Sequence, residues 1–130
     1  KHLINSALVS AQNRKRFYWT NIDGIEQPKD LGLVLSHVLI NGHVDRDKSH
    51  CLDASYYKGG NPKSYFEKRR RQLVFTNEEL TAFRKLTPNE CEALQTFPQG
   101  YSEGVSNTQR YRSLGNSFTV DVVAHIFRYL

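Results

Sequence analysis

Residues 86–98 read LTPNECEALQTFP. Thr87 stands three residues before Glu90, the spacing at which a hydroxyl and a carboxylate cap a helix start reciprocally, and Pro88 falls where a missing N–H costs nothing. The stretch therefore predicts a helix beginning at Pro88, with Cys91 and Leu94 on one face and Phe97 just beyond. Pro98-Gln99-Gly100 ends it. Cys91 poses the chemical question, because a thiol near a helix start is either a nucleophile or a small filler facing the core. A reactive thiolate needs a cationic neighbour. Glu90 and Glu92 flank Cys91 instead and raise its pKa, so it reads as a small apolar residue turned inward.

The surrounding chain sets the bounds. Its 130 residues make one domain or part of one, and 38% hydrophobic with 12% aromatic residues is ordinary for a globular protein. Eighteen Lys+Arg against thirteen Asp+Glu leave a net charge of +5, which favours polyanionic partners. Two cysteines, Cys51 and Cys91, form neither a metal motif nor a disulfide framework and suit a reducing compartment. No apolar run reaches the roughly 18 residues a membrane span requires, and KHLINSALVSAQ lacks the shape of a signal peptide. The expectation is a soluble, cytoplasmic protein with no membrane partner and no metal. The chain lacks methionine altogether, which fits a trimmed or split polypeptide.

Outward from the opening stretch, INSALV (4–9) and FYWTNI (17–22) read as strands joined by the basic AQNRKR. Leu31, Leu35, Val38 and Leu39 fall at helical spacing in LGLVLSHVL, which Asn41-Gly42 stops. SHCLDASYY (49–57) and RRQLVF (70–75) read as two walls of a β-ribbon. Between them the two glycines and the proline of KGGNPKSYFEK argue against regular structure. That loop interleaves Lys58, Lys63, Lys68 and Arg69–Arg71 with Tyr56, Tyr57, Tyr65 and Phe66. It is either a solvated tip or a nucleic-acid reader, with cations for phosphates and base edges and rings for stacking. Near the end, Gly115-Asn116-Ser117 reads as a tight turn into a helix whose stripe is Val120, Val123, Phe127 and Leu130. Such a turn offers free N–H groups and small polar side chains to a carboxylate or phosphate.

Three blocks in one order carry a resemblance. AQNRKRFYW holds Gln12, Arg14 and Arg16 in a Gln-x-Arg-x-Arg pattern, RKLTPNECEALQTFPQGY holds the Leu-Thr-Pro-x-Glu block, and SLGNSFTVDVV holds a closing Gly-Asn-Ser block. In this order they resemble the C-terminal part of the DNA cytosine-5 methyltransferases of bacterial and phage type. The likeness covers nearly all of the chain. Asn89 and Thr96 stand where the family commonly has arginine and glycine.

The resemblance implies an α/β fold: edge strands of a partial Rossmann-like methyltransferase sheet, a small irregular target-recognition lobe, and a C-terminal helix packing back on the sheet. It divides the chain into edge strands and arginine block (1–24), target-recognition region (25–83), scaffold helix block (84–112), and cofactor turn with final helix (113–130). It implies methylation of carbon 5 of a cytosine flipped out of double-stranded DNA, with S-adenosylmethionine as cofactor. Arg16 would face the base and Arg14 the backbone phosphates, with Gln12 accessory to both. Gly115, Asn116 and Ser117 would meet the methionine end of the cofactor, and Lys58, Asn61, Lys63 and Arg69 would contact DNA. The family's nucleophilic cysteine follows a proline, which neither Cys51 nor Cys91 does, and its Phe-x-Gly-x-Gly and Glu-Asn-Val blocks are missing. The expectation is therefore a chain inactive alone that needs an N-terminal catalytic part, on the same polypeptide or a separate subunit. The alternative is a non-catalytic DNA-binding or regulatory module that docks on a methyltransferase. An incomplete sheet also predicts apolar surface around Leu8, Trp19, Val122 and Ile126, and self-association.

Overall fold

The computed structural model describes residues 1–130. Strand β1 (His2–Asn5) pairs antiparallel with β2 (Lys15–Tyr18), setting Ile4 opposite Arg16. Helix α1 (Pro62–Lys68) precedes β3 (Leu73–Phe75), which pairs antiparallel with β4 (Phe83–Lys85). Helices α2 (Pro88–Leu94), α3 (Asn107–Asn116) and α4 (Val120–Phe127) follow. The two sheets have two strands each and do not join. No helix is long and apolar enough to cross a membrane.

Helix α2 starts as its sequence dictates. The Thr87 hydroxyl accepts the Glu90 N–H at 3.1 Å, and the Glu90 carboxylate accepts the Thr87 N–H at 2.8 Å. Glu90 also takes two bonds from the Arg84 guanidinium, at 2.7 and 3.0 Å, tying β4 to the helix start. Cys91 and Leu94 are wholly buried in the main core, with Leu35, Leu52, Tyr56, Val74, Leu86, Tyr111 and Leu114. Each such aliphatic residue contributes about 1.5–3 kcal/mol by leaving water. A second core gathers Ile4, Val9, Val122 and Ile126 between the first strand and α4. Val122 and Ile126 are thus buried within the chain, contrary to the expectation of an exposed apolar face, and Leu8 is half-buried. Only Trp19, at 76% exposure, stands out as expected.

Local chemistry explains the other departures. The predicted strand 4–9 ends at Asn5, whose side chain accepts the N–H groups of Ala7 and Arg14 and turns the chain into a short 3-10 segment, Ser6–Leu8. The predicted helix over 31–39 shrinks to one turn, Leu35–His37. Gly32 sits at a positive φ of 68°, and the Leu35 N–H is claimed by Asp47 O, so the apolar spacing serves an extended chain. Segment 49–57 is not a wall of a ribbon. Ser49 bridges Ala11 and Asn13, and Asp53 caps a turn that leads into the 3-10 segment Tyr56–Lys58. The partner of β3 is β4 instead. Helix α1 forms where glycine and proline argued against regularity, because the glycines end at Gly60 and Pro62 opens the helix. Asn61 caps it by accepting the Ser64 N–H at 2.8 Å.

The Gly115–Ser117 segment also differs. Gly115 and Asn116 close the last turn of α3, a helix that starts at the Ser106 cap and buries Tyr111 and Leu114. A Cβ on Gly115 would lie 2.1 Å from the Asp53 carbonyl carbon and oxygen, so glycine here lets α3 touch the 53–54 backbone.

Candidate base and cofactor cleft

The alternation of β2 puts the side chains of Arg16 and Tyr18 on one face, and Arg14, just before the strand, falls at the same spacing. Opposite them comes the link between α3 and α4. Arg14, Arg16, Phe17, Tyr18, Asn116, Ser117 and Phe118 together line an open cleft of about 270 Å³. Residues a hundred positions apart in sequence converge there, as the block order implies.

Arg14 builds the cleft wall. It is 5% exposed, and its guanidinium donates to Leu52 O (2.6 Å), Gly115 O (3.2 Å), Ser117 O (2.9 Å) and Cys51 Sγ (3.4 Å). Burial lowers its pKa, and Cys51 works against that shift. All four terminal N–H donors have protein partners, so Arg14 clamps the strand, the 51–52 segment and the end of α3 rather than reaching freely for phosphates. Arg16 is exposed and anchored only by Lys15 O at 3.0 Å and Cys51 Sγ at 3.3 Å. Its fork remains available to a ligand.

Gln12 is wholly buried and does not line the cleft. Its amide donates to Leu94 O (3.1 Å) and Gln95 Oε1 (3.2 Å), and its carbonyl accepts the Leu52 N–H at 2.8 Å. The Thr119 hydroxyl joins Gln95 at 3.0 Å and Ser6 at 2.7 Å. This buried polar chain locks β1, α2 and the head of α4 together, leaving Gln12 a framework role.

The anion-binding expectation changes at the level of atoms. Val120 N–H, at the start of α4, donates to Gln95 O, and Asp121 N–H donates to Thr96 Oγ1. These N–H groups are spent on α2 and not offered to a ligand. Free polar groups at the cleft are the side chains: the exposed Asn116 amide makes no protein hydrogen bond, and Ser117 Oγ has only a 3.4 Å contact to Phe118 O. Gly115 contributes close packing and a carbonyl. Tyr18, whose pKa burial raises, and Phe118 supply apolar walls. Strand alternation from Arg14 marks Tyr18; nothing in the sequence marks Cys51 as the neighbour of both arginines. Cys91 lies outside the cleft, and burial, then Glu90 and Glu92, push its thiol pKa far up.

The other candidates lie on the 58–69 segment. Lys58, Asn61, Lys63 and Arg69 are all exposed. Asn61 and Lys63 share a shallow groove with Ser64, Glu67 and Lys68. The Asn61 carbonyl is committed to its cap, leaving the amide donor free. Arg69 ends α1 in a left-handed conformation, φ 52°.

The profile of C-5 cytosine-specific DNA methylase matches residues 21–130. The chain belongs to that family. Among curated members it is 46% identical over 59 residues to the rice (Oryza sativa subsp. japonica) DNA (cytosine-5)-methyltransferase DRM2, covering 45% of this chain and 10% of that protein. It is 41% identical over 63 residues to the type II methyltransferase M.MspI of a Moraxella species, covering 48% and 15%. The fold resembles the solved Entamoeba histolytica methyltransferase EhMeth with a TM-score of 0.68 and 19% identity, over 98% of this chain and 51% of that one. The matches thus span about half of that solved chain and much less of the two curated relatives.

Proposed function

We propose that the chain supplies the base-holding, DNA-contacting part of a cytosine-5 methyltransferase. The observation that carries this reading is the convergence of Arg14, Arg16 and Tyr18 with Asn116–Phe118 around one cleft in a member of this family. Its division into edge strands of a Rossmann-like sheet, a recognition lobe and a returning helix rests on the same resemblance. Arg16 presents a planar two-donor fork to the O2 edge of a flipped cytosine and to an adjacent carboxylate. Arg14 holds the cleft wall in register from below, and Gln12 fixes the wall to α2. The Asn116 amide and the Ser117 hydroxyl are donors without committed partners at the cleft edge, which suits the carboxylate of S-adenosylmethionine. That cofactor, when bound, supplies the methyl group. Lys58, Asn61, Lys63 and Arg69 meet double-stranded DNA from the 58–69 segment.

Cys91 is sealed in the core, and neither it nor Cys51 follows a proline as the family's nucleophile does, so the nucleophile comes from a catalytic part bearing the proline-cysteine and Phe-x-Gly-x-Gly blocks. The test is transfer of labelled methyl to duplex DNA. The chain alone transfers none, and the chain joined to such a catalytic part transfers it. Methyl transfer by the isolated chain overturns the reading. Undiminished DNA binding with no transfer in the joined protein favours a docking module.

A further inference from the structure

Two cations, Arg112 and Lys85, touch Tyr57 without a carboxylate partner, and a third, Lys58, follows it in sequence. The Arg112 guanidinium carbon lies 5.1 Å from the centre of the Tyr57 ring. Lys85 Nζ donates to Tyr57 O at 3.0 Å and sits 4.9 Å from the centre of the Tyr111 ring. Lys58 is the next residue, and all three cations are exposed. The ion pairs of the chain are Arg46–Asp45, Arg84–Glu90 and Arg110–Glu92, none of which involves this group. Asp53, four residues before Tyr57, accepts the Ser55 N–H at 2.9 Å and forms no ion pair with any of the three. Aromatic faces and a carbonyl therefore hold Arg112 and Lys85 in place and leave them without an ion-pair partner.

Their position connects two features. Arg112 and Asn116 are four residues apart on α3 and share its exposed face, one turn or about 6 Å along the axis. Asn116 lines the cleft with Arg16, while Tyr57 immediately precedes the basic 58–71 segment that Lys58 begins. That spacing would bring Arg112 to the phosphates flanking a nucleotide seated at the cleft. A guanidinium pre-stacked on a ring loses less freedom when it binds one.

We propose that Arg112, held on Tyr57 and flanked by Lys58 and Lys85, contacts a DNA backbone phosphate beside the nucleotide in the cleft. The DNA footprint then extends from the recognition segment onto α3 and β4. This inference rests on the DNA-methyltransferase reading above.

The test measures fluorescence anisotropy of a labelled random-sequence duplex against salt, for the chain and three variants. Arg112→Ala weakens binding several-fold on any sequence and flattens the log–log salt slope by about one phosphate's worth, about 0.9. Arg112→Lys keeps the slope. Lys29→Ala removes the same charge beside α4, near Val9 and His125, and leaves the slope unchanged. An unaltered slope in Arg112→Ala, or an equal change in Lys29→Ala, overturns the proposal while the wider reading stands. A salt-independent loss of binding accompanied by loss of helical circular dichroism assigns Arg112 to packing alone and also overturns it. Absence of any duplex binding by the unaltered chain defeats both readings.

Discussion

Gly115→Ala separates the structural account from helix propensity, because the two give opposite signs. Alanine is favoured over glycine by at most about 1 kcal/mol within a helix, so propensity alone predicts stabilisation, smaller in the last turn where Gly115 stands. The added methyl, however, would sit 2.1 Å from the Asp53 carbonyl carbon and oxygen and 2.5 Å from Ala54 N. Those atoms are backbone and cannot rotate aside, so α3 and the 53–54 segment must separate by more than 1 Å to restore contacts of about 3.5 Å. Overpacking of this kind costs about 1–3 kcal/mol. The same displacement stretches the Arg14 clamp, which spans Leu52 O on one side and Gly115 O and Ser117 O on the other. Each hydrogen bond to a charged group is worth about 1.5–3 kcal/mol. Partial loss of two of them brings the net destabilisation to about 3 kcal/mol, a large share of the 5–15 kcal/mol typical of a domain. Urea unfolding followed by circular dichroism should show a lowered midpoint, and a thermal scan should show a Tm lower by about 10 °C. A midpoint equal to or above that of the unaltered chain refutes the close helix–backbone contact.

Thr96 occupies a left-handed conformation at φ 57° while its hydroxyl accepts the Asp121 N–H at 2.8 Å. Thr96→Gly relieves strain but loses that bond, so urea midpoints should differ little, whereas Thr96→Val keeps the strain, loses the bond, and costs about 1–3 kcal/mol. Burial, with help from Arg46, depresses the His50 pKa from 6.5 to about 4, so between these values the unfolded chain binds the extra proton. Its contribution to stability is complete above pH 6.5 and is lost as pH falls toward 4. His50→Asn should flatten the stability profile in that window, and an unchanged slope contradicts the burial of a neutral imidazole. Cys51 is partly exposed and Cys91 wholly buried, so under native conditions a thiol reagent followed by mass spectrometry should modify one site per chain, at Cys51. Rapid labelling of Cys91 contradicts its place in the core.

The parts legible in the sequence are those whose chemistry is local. The capping pair Thr87 and Glu90 and the inward Cys91–Leu94 face fix α2 from residues a few positions apart, and the structure reproduces them. The block order also placed Arg14, Arg16, Asn116 and Ser117 in one cleft. What escaped depends on distant partners. Leu31–Leu39 has helical spacing, but Asp47 claims the Leu35 N–H and Gly32 breaks the run. α3 was hidden because Gly115 resembles a turn residue until the Asp53 backbone is seen against it. Arg14 resembles a ligand-binding arginine until three carbonyls from Leu52, Gly115 and Ser117 take its donors. Gln12 turned inward for a similar reason: its partners, Leu52, Leu94 and Gln95, lie at least forty residues away.

The central claim is that Arg16 completes a base-holding pocket with the Asn116–Ser117 bend. It is tested most directly by single-turnover methyl transfer in the joined methyltransferase carrying Arg16→Ala or Arg16→Lys. Both variants should bind duplex DNA close to normally, with Arg16→Ala losing the chemical step by at least about a hundredfold and Arg16→Lys recovering little because its single ammonium cannot replace the fork. Methyl transfer at the unaltered rate in Arg16→Ala would contradict the account.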